Sequence, residues 1–281
     1  MEQHQAINGI LLNHDRIASL IMPRNTAAHK GTHGHALLVA GCKGKMGAAV
    51  LAARACLRTG AGLLTVNVYE AERFILQTAI PEAMLMFREE GGDINKFSAI
   101  GIGPAIGVDE NGLTLLKNIF EVYNKPVLLD ADALTLLSLH KSYWAAIPPG
   151  SVLTPHPTEF DRLFGQSNNH NERMEKALQL SIEYPWVIVL KNNHTLVAVN
   201  GNAHTNSTGN AGLAKGGTGD VLSGMILSLL AQGYASSHAA QIAVYLHGLA
   251  ADIAVKNQSM ESLLASDVIE AIGPAFSNTR L

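Results

Sequence analysis

Short runs of apolar residues alternate along the chain with segments whose apolar positions recur at helical spacing. The apolar runs span residues 36–40, 63–68, 97–102, 126–130, 151–154 and 186–191. The helical segments between them span 48–58, 110–122, 132–138 and 172–182. Continuous rather than alternating apolarity is typical of strands that are covered on both faces. We therefore predict an α/β fold with one doubly wound, mostly parallel sheet and helices on both of its faces.

The last third of the chain is predicted to be mostly helical. Before it, the sequence predicts a hairpin whose two strands span 195–200 and 203–205. Helices are predicted over 218–232 and 236–255, and both are expected to pack on the sheet. In the first of them the apolar residues fall on one face, and they are Val221, Leu222, Met225, Ile226, Leu229 and Leu230. No shift in composition indicates a second domain, so residues 1–281 are interpreted as one domain.

The composition limits the class of protein. The 281 residues carry a formal net charge of −3, and 47% of them are hydrophobic. Because there is no basic surplus to attract nucleic acid, we expect no nucleic-acid partner. The longest uncharged apolar stretch, 221–231, is too short to span a membrane, and residues 1–16 lack the pattern of a signal peptide. Cys42 and Cys56 provide no disulfide framework, which favours a cytoplasmic protein with reduced thiols.

Polar and glycine residues follow five of the predicted strands, at the point where each strand ends. Ligands of open α/β sheets bind beyond the carboxyl ends of the strands. The five segments contain glycines, carboxylates, histidines and lysines, and they span 41–47, 103–107, 130–134, 154–159 and 191–195. Any one of them is explained by ordinary turn chemistry, but the five together predict a binding crevice at one edge of the sheet.

The segment 209–220 carries the sharpest local signal, because its glycines lie directly before a predicted helix. Glycine lets the backbone approach a ligand closely, and successive amide groups at a helix N-terminus bind anions. We interpret four residues as an anion hole, and they are Lys215, Gly216, Gly217 and Thr218. Thr218 alone is also explained as a helix cap. The chain has no Walker A loop, and the glycines at 101–107 lack the spacing of a Rossmann fingerprint.

Asp220, at the end of this glycine segment, is the candidate catalytic residue. A carboxylate beside a phosphate site repels the phosphate unless it serves the chemistry or a metal. The most economical role is that of a general base, which removes a proton from a substrate hydroxyl as that hydroxyl attacks phosphorus. A plain helix-capping role for Asp220 is the simpler alternative.

Four stretches of the sequence resemble one enzyme family. They are GNAGLAKGGTGDVLSG at 209–224, TPHPTE at 154–159, LDADAL at 129–134 and the long segment 30–66. Together they resemble the ADP- or ATP-dependent NAD(P)H-hydrate dehydratases of the ribokinase-like superfamily, over residues 25–273. The resemblance implies a ribokinase-like fold with an N-terminal extension over residues 1–25. It also implies no epimerase domain, an NAD(P)H-hydrate epimerase on another chain as functional partner, and a homotetramer.

The activity that the resemblance implies is the repair of damaged coenzyme. Members of the family convert the 6-hydroxylated form of NADH or NADPH back to the reduced coenzyme, and those that use ADP release AMP and phosphate. Asp220 would deprotonate the ring hydroxyl, the terminal phosphate of the nucleotide would transfer to it, and phosphate would then be eliminated. Lys215 and the amides of residues 216–219 would hold the phosphoryl charge, and Mg²⁺ would bridge phosphate oxygens. The choice between ADP and ATP stays open.

The resemblance also implies which residues contact each ligand. The positions that match the hydrated-coenzyme site are Ala48, Gly103, His156 and Asp220. The positions that match the adenine-nucleotide site are Lys191, Asn192, Asn193, His194, Thr195 and Gly219. The family commonly has Lys-Gly where this chain has Lys191-Asn192, and Gly-Pro-Gly where it has Gly103-Pro104-Ala105. Asparagine tolerates a positive φ, whereas Ala105 is expected to alter the geometry of its loop or to crowd the coenzyme.

Simpler interpretations of several histidines remain open. His29, His33 and His35 are spaced like metal ligands, but no carboxylate or thiolate lies near them in sequence, so polar contacts are the favoured interpretation. His156 stands between two prolines that stiffen its loop. It is interpreted either as a structural turn residue or, because it follows a strand, as a ligand contact.

Three carboxylates lie near the predicted crevice, and two of them have two interpretations each. Glu159 and Asp132 are explained either as site residues or as caps of the helices that begin beside them. Asp130 is expected to face the crevice, where it would help to hold a metal or a water molecule. Two other functions remain as alternatives to the dehydratase: a kinase of the same superfamily acting on a thiazole or pyrimidine alcohol, and a non-catalytic nucleotide sensor.

Overall fold

The computed structural model of the protein describes residues 9–280. The strands in that part of the chain are β1 (Ile10–Leu12), β2 (His35–Val39), β3 (Leu63–Val68), β4 (Met84–Phe87), β5 (Ala99–Ile102), β6 (Val127–Leu129), β7 (Val152–Leu153), β8 (Val187–Leu190), β9 (Leu196–Val199) and β10 (Asn202–Asn206). The α-helices are α1 (His14–Leu20), α2 (Met46–Thr59), α3 (Arg73–Ala79), α4 (Glu110–Val122), α5 (Asp132–Leu139), α6 (Pro157–Phe164), α7 (His170–Glu183), α8 (Thr218–Ala231), α9 (Ser236–Ala254) and α10 (Ala265–Arg280). Short 3₁₀ turns lie at Lys30–His33, Glu70–Glu72, Lys141–Ala146 and Ala211–Leu213.

The strands form one sheet in the order β1-β10-β9-β8-β7-β6-β5-β2-β3-β4. β9 is antiparallel to both of its neighbours, and all other neighbouring strands pair in parallel. The predicted mostly parallel sheet is therefore confirmed. The six predicted apolar runs correspond to β2, β3 and β5 to β8, and the predicted hairpin corresponds to β9 and β10.

Two strands of the sheet are absent from the sequence prediction, and both lie at its edges. β1 has three residues, of which Ile10 and Leu11 are exposed, and β4 begins with the exposed Met84. Short, half-exposed strands lack the continuous apolarity from which the other strands are predicted. β1 also lies within the segment 1–25, which the sequence analysis interprets as an extension. Its parallel pairing with β10 makes the described part of that segment an edge of the sheet.

Helices cover both faces of the sheet, as predicted. The alternating residues of β2 illustrate this, because successive side chains of a strand point to opposite faces. Ala36 and Leu38 belong to the core that α2, α8, α9 and α10 form on one face. Leu37 and Val39 belong to the core that α4 and α5 form on the other face.

The helix α8 is buried on all sides, from Val221 to Ala231. One apolar face is predicted for it from the sequence, yet Leu227 and Ser228 are buried as well. The reason is that α8 packs between β5 of the sheet and the two helices α2 and α9. Within residues 9–280, no helix combines the length and the apolarity needed to cross a membrane.

The packing of α8 against α2 depends on one glycine. A Cβ atom built on Gly224 would overlap the carbonyl oxygen of Ala52, which is backbone of α2 and cannot move aside. The two helices therefore approach each other more closely than any side chain at position 224 permits. Because each helix begins at a loop of the carboxyl edge, this contact positions both loops.

Candidate active site

The five polar segments predicted to share an edge do meet at the carboxyl edge of the sheet. They follow β2, β5, β6, β7 and β8, which are neighbours in the sheet and run in the same direction. Backbone hydrogen bonds join neighbouring segments or strand ends, from Gly41 N to Pro104 O (2.8 Å), Asp130 N to Ile102 O (3.2 Å), Thr154 N to Leu129 O (3.1 Å) and Lys191 N to Pro155 O (2.9 Å). The segments therefore form one hydrogen-bonded rim.

The turn after β5 requires unusual backbone angles. Gly103 has a φ of 141°, and a Cβ atom there would overlap the carbonyl oxygen of Asp130. Ala105 has a φ of 53°, in the left-handed region that glycine occupies more easily. The loop therefore keeps at position 105 a conformation for which glycine is suited, although the chain has alanine there. The expectation that Ala105 alters the loop geometry stays untested.

The turn after β6 is strained and separates two carboxylates. Ala131 has φ 49° and ψ −116°, a conformation that residues other than glycine rarely adopt. Asp132, on one side of it, accepts a hydrogen bond from Gly107 N at 3.0 Å. Asp132 therefore holds the neighbouring β5 loop, and α5 begins without a side-chain cap. Asp130, on the other side, is buried.

Asp130 forms a buried ion pair with Lys191, which follows β8. The Lys191 Nζ atom lies 3.0 Å from Asp130 Oδ1, and Ser223 Oγ donates to Asp130 Oδ2 at 2.5 Å. Burial favours the neutral form of Asp130, but Lys191 and Ser223 outweigh it and lower the pKa of this carboxyl. Burial would also lower the pKa of Lys191, but Asp130 and Glu159 raise it, so the ammonium keeps its charge.

The glycine segment presents free amide groups at the start of α8. Gly217 has a φ of 92°, and the helix has no side-chain cap at this end. Thr218 Oγ donates to the carbonyl oxygens of Leu213 and Lys215, at 2.8 and 2.9 Å, and so fixes the turn. In the part of the chain that the structure describes, no acceptor receives the amide hydrogens of Gly216, Gly217, Thr218, Gly219 and Asp220. Such a series of amides, at the positive end of the helix dipole, is suited to bind phosphate.

Asp220 lies in the first turn of α8 and is half-buried. Burial is the main reason that its pKa is raised to about 6, and the negative charge of Asp130 raises it further. Lys191 opposes this shift. The same lysine is close to the loop, because its Nζ atom lies 3.6 Å from a Cβ atom built on Gly219. A carboxylate with a pKa near neutrality matches the requirement for a general base.

His156 and Glu159 form a capping box at the start of α6. His156 Nδ1 accepts a hydrogen bond from Glu159 N at 3.3 Å, and Glu159 Oε2 accepts one from His156 N at 2.9 Å. The structural interpretation of both residues is therefore confirmed. The ring of His156 is nevertheless half-exposed at the carboxyl edge, and Glu159 Oε2 lies 3.9 Å from Lys191 Nζ. A ligand contact by His156 stays a prediction.

The four residues after Lys191 that were predicted to bind nucleotide, Asn192 to Thr195, form the turn between β8 and β9. Asn192, Asn193 and His194 are exposed there. Asn192 does not adopt a positive φ, so this turn has no need of the glycine that the family commonly has. Its side chain instead lies 3.1 Å from His170 Nδ1. The turn is accessible to a ligand, and its role stays a prediction.

Two other predicted site residues lie at the margin of this cluster. The Lys215 ammonium donates to the carbonyl oxygen of Glu261, in the loop before α10, and its side chain is exposed. In this conformation it does not join the free amides of the glycine segment. Ala48 is half-buried in the first turn of α2, directly after the loop that begins at Gly41.

Two of the three clustered histidines, His29 and His35, make polar contacts through their rings, as the simpler interpretation predicts, and the same interpretation of His33 stays a prediction. His29 Nδ1 accepts from Gly31 N at 3.1 Å and begins the first 3₁₀ turn. His35 Nε2 lies 2.8 Å from Thr65 Oγ. Residues 9–280 contain no group of three His, Cys, Asp or Glu side chains arranged to hold a metal ion.

Sequence reasoning missed two residues that support the site. Ser223 stabilises the Asp130 carboxylate from 93 positions away, and no sequence signal marks a serine within an apolar helix. Arg88, at the end of β4, donates to the carbonyl oxygens of Ala40 and Asn67, at 3.0 and 3.1 Å. It thereby joins the carboxyl ends of β2 and β3 beside the Gly41 loop. Arg88 follows β4, a strand that was not predicted from the sequence, and so it was not among the predicted site residues.

Comparisons with known proteins agree with the motifs. A family model described as NAD(P)H-hydrate dehydratase matches residues 36–274. An ADP-dependent (S)-NAD(P)H-hydrate dehydratase of Bacillus subtilis is 35% identical, over 93% of this chain and 97% of that protein. A bifunctional NAD(P)H-hydrate repair enzyme of Vibrio cholerae is 36% identical over 89% of this chain. This chain spans 51% of the length of that bifunctional relative.

Solved structures show the same fold. The crystal structure of the ADP/ATP-dependent NAD(P)H-hydrate dehydratase of B. subtilis, co-crystallised with ATP and Mg²⁺, matches with a TM-score of 0.89 and 33% identity, over 98% of this chain and 100% of that one. A ribokinase-like superfamily protein of Enterococcus faecalis matches with a TM-score of 0.87 and 28% identity, over 99% of each chain. The predicted ribokinase-like fold is confirmed, and the chain belongs to the NAD(P)H-hydrate dehydratase family.

Proposed function

We propose that the protein catalyses the ADP- or ATP-dependent dehydration of hydrated NADH or NADPH, a repair reaction of the hydro-lyase class. The observation that carries the proposal is Asp220, whose carboxyl has its pKa raised to about 6 beside five free amide groups. A base and a phosphate-binding loop in one turn suit phosphoryl transfer to a hydroxyl. Membership of the dehydratase family supports the choice of substrate.

The first step is the transfer of a phosphoryl group to the coenzyme. Asp220 accepts the proton of the ring hydroxyl while the hydroxyl oxygen attacks the terminal phosphorus of the nucleotide. The bond from that phosphorus to the bridging oxygen breaks, and AMP leaves when ADP is the donor, or ADP when it is ATP. The free amides of residues 216–219 bind the phosphoryl oxygens as negative charge develops on them. Lys191, at the start of the turn between β8 and β9, adds a fixed positive charge.

The second step is an elimination. The carbon–oxygen bond breaks, phosphate leaves with the electron pair, and the ring loses a proton from the neighbouring carbon, which restores the reduced nicotinamide. Phosphorylation makes this possible because phosphate is a far better leaving group than hydroxide. Gly103 and His156, on the rim segments that follow β5 and β7, are proposed to contact the coenzyme, together with Ala48.

The donor set fits a magnesium ion that is held mainly by the nucleotide. Residues 9–280 have no three-ligand cluster, and magnesium in phosphoryl-transfer sites typically takes phosphate oxygens and waters with few protein ligands. The amides of Gly216 to Gly219 would hold the phosphates, and oxygens of those phosphates, not the N–H groups, would hold the ion. When bound, it supplies charge neutralisation for the terminal phosphate.

The test is the appearance of the reduced nicotinamide absorbance. Purified protein is incubated with hydrated NADH, MgCl₂ and either ADP or ATP, and Asp220→Asn is compared with the wild type. We expect turnover by the wild type and a loss of about 10²–10⁴-fold in Asp220→Asn, the usual contribution of a general base. Asp15→Asn is the matched control, because the Asp15 side chain is 96% exposed on α1.

The outcome separates the proposed function from its alternatives. No reduced coenzyme with either nucleotide would overturn the proposal. A stable phosphorylated thiazole or pyrimidine alcohol would identify the kinase instead, and nucleotide binding without turnover would identify the sensor. An Asp220→Asn variant with full activity would overturn the role of the base and leave the function standing.

We also propose the setting in which the enzyme works. The protein would be a cytoplasmic homotetramer, and size-exclusion chromatography with light scattering would give four times the mass of the chain. An epimerase on another chain would supply the epimer that the dehydratase accepts. Added epimerase should then raise the yield of NADH from a mixture of epimers to completion, and an unchanged yield would contradict this coupling.

A further inference from the structure

A second concavity lies at the amino-terminal edge of the sheet, opposite the candidate active site. Its volume is about 460 Å³, and its walls are the segment after α1, the carboxyl ends of α2 and α8, and the last turns of α10. From Gly219 to Gln232, α8 advances about 20 Å, at 1.5 Å per residue. The cavity is therefore separated from the glycine segment by the full length of this helix.

Three arginines line this cavity, although the chain as a whole has a net charge of −3. They are Arg24, Arg58 and Arg280. Arg58 pairs with Glu270 at 2.8 Å, and the same carboxylate also pairs with Arg54, outside the cavity. Within residues 9–280, no carboxylate lies within 4 Å of Arg24. The cavity wall therefore carries more positive than negative charge.

Arg24 retains free hydrogen-bond donors at the cavity wall. Its Nη2 atom donates to the carbonyl oxygen of Gly60 at 2.7 Å and lies 3.5 Å from Gln232 Oε1. Those contacts position the side chain, and Nη2 lies so close to Gly60 that a Cβ atom there would overlap it. Among the described residues, its Nε and Nη1 atoms have no acceptor. A positioned guanidinium with spare donors matches the oxygens of a phosphate.

Two further groups complete the polar lining. Tyr234 Oη accepts a hydrogen bond from Met22 N at 2.9 Å, so its hydroxyl hydrogen is directed elsewhere and is available to a ligand. The Arg280 guanidinium lies 5.5 Å from the centre of the Phe276 ring, and both residues line the cavity. An aromatic face beside a cation limits how far that cation moves.

We propose that this cavity is a binding site for a small phosphorylated metabolite with at least two negative charges. Its volume lies within the range of about 300–1,000 Å³ that is usual for small-molecule sites. The cavity wall supplies guanidinium donors from three different segments of the protein. This arrangement favours a compact anionic ligand over an extended one.

The test is calorimetric titration with inorganic pyrophosphate, on the wild type and on Arg24→Met and Arg280→Met. We expect each substitution to weaken pyrophosphate binding at least tenfold. Arg73→Met is the matched control, because Arg73 lies on α3 outside the cavity, and its affinity should equal that of the wild type. Equal affinities in all four proteins would overturn the proposal, since pyrophosphate would then bind elsewhere, for instance at the glycine segment.

Arg24 also contacts a helix end, so its loss alone is open to a structural explanation. Arg280→Met answers this, because the Arg280 side chain donates no hydrogen bond to another described residue and lies 5.5 Å from the centre of the Phe276 ring. If Arg24→Met lowered the melting temperature equally with and without pyrophosphate, and Arg280→Met bound pyrophosphate normally, the arginines would have a structural role only. Citrate, titrated in parallel, should bind at least tenfold more weakly, and equal binding of citrate would contradict the preference for phosphate.

Discussion

The pH dependence of turnover tests whether Asp220 acts as the base. Its pKa is raised to about 6, chiefly by burial and then by Asp130, while Lys191 lowers it. With one such carboxyl, roughly half of the enzyme is active at pH 6 and about a tenth at pH 5. We therefore expect kcat/KM to fall tenfold per pH unit below pH 6 and to level off above pH 7.

Asp130→Asn is the decisive perturbation of this profile. The substitution removes a negative charge that raises the pKa of Asp220, and it releases Lys191, which then approaches Asp220. Both effects stabilise the Asp220 carboxylate, so the acid limb should move to lower pH by about one unit, equivalent to ~1.4 kcal/mol. Asp15→Asn should leave the limb in place.

The assay is the initial rate of NADH formation from its hydrate between pH 4.5 and 8. Nucleotide phosphates also titrate near pH 6, so the wild-type profile alone is not sufficient. A limb near pH 6 that Asp130→Asn leaves unmoved would refute the assignment to Asp220. Removal of one partner from a buried ion pair costs about 3–5 kcal/mol of stability, so circular dichroism must first show that Asp130→Asn is folded. In this variant Glu159 and Asp220 remain as partners for Lys191.

Three further predictions concern stability and are measured by urea unfolding. Asp220→Asn should raise the free energy of unfolding by about 1–2 kcal/mol at pH 8 and leave it unchanged near pH 3. The reason is that the pKa of this carboxyl is raised in the folded wild type, which therefore loses stability as pH rises through about 6. An equal gain at both pH values would contradict this. Ala105→Gly should gain about 0.5–1 kcal/mol by relieving a positive φ, and a loss would show that the loop is unstrained. Gly224→Ala should lose about 1–3 kcal/mol through its overlap with Ala52, whereas Gly273→Ala, with open space around it, should be neutral or stabilising.

The interior of the fold was predictable from the sequence, and its edges were not. The strands β2, β3 and β5 to β8 are covered on both faces, so each is a continuous apolar run. β1 and β4 have one neighbour each and exposed residues, and their short segments do not differ from loops in composition. The helix α4 was predicted at its observed bounds from the helical spacing of its apolar residues, and in the structure Asp109 caps its start.

The place of the site was predictable, but the pairings within it were not. Parallel strands bring their carboxyl ends to one edge, so the position of Asp130 and Lys191 follows from strand prediction. That they form an ion pair depends on the order of β6, β7 and β8 in the sheet, which the sequence does not state. Lys215 illustrates the opposite case, because its neighbours in sequence present free backbone amides while its side chain turns towards Glu261.

The contact between Gly224 and Ala52 sets the distance between α8 and α2, and with it the distance between the two loops at which these helices begin. Each residue lies six positions after the first residue of its helix, Thr218 or Met46, which is about 9 Å along the axis. The contact is thus equally far from the two loops that are proposed to face the ligands. Substitutions around it would change the clearance between these loops while leaving every proposed ligand contact intact. Enzymes of this fold could in that way be adapted to a bulkier coenzyme without any change in the residues that touch it.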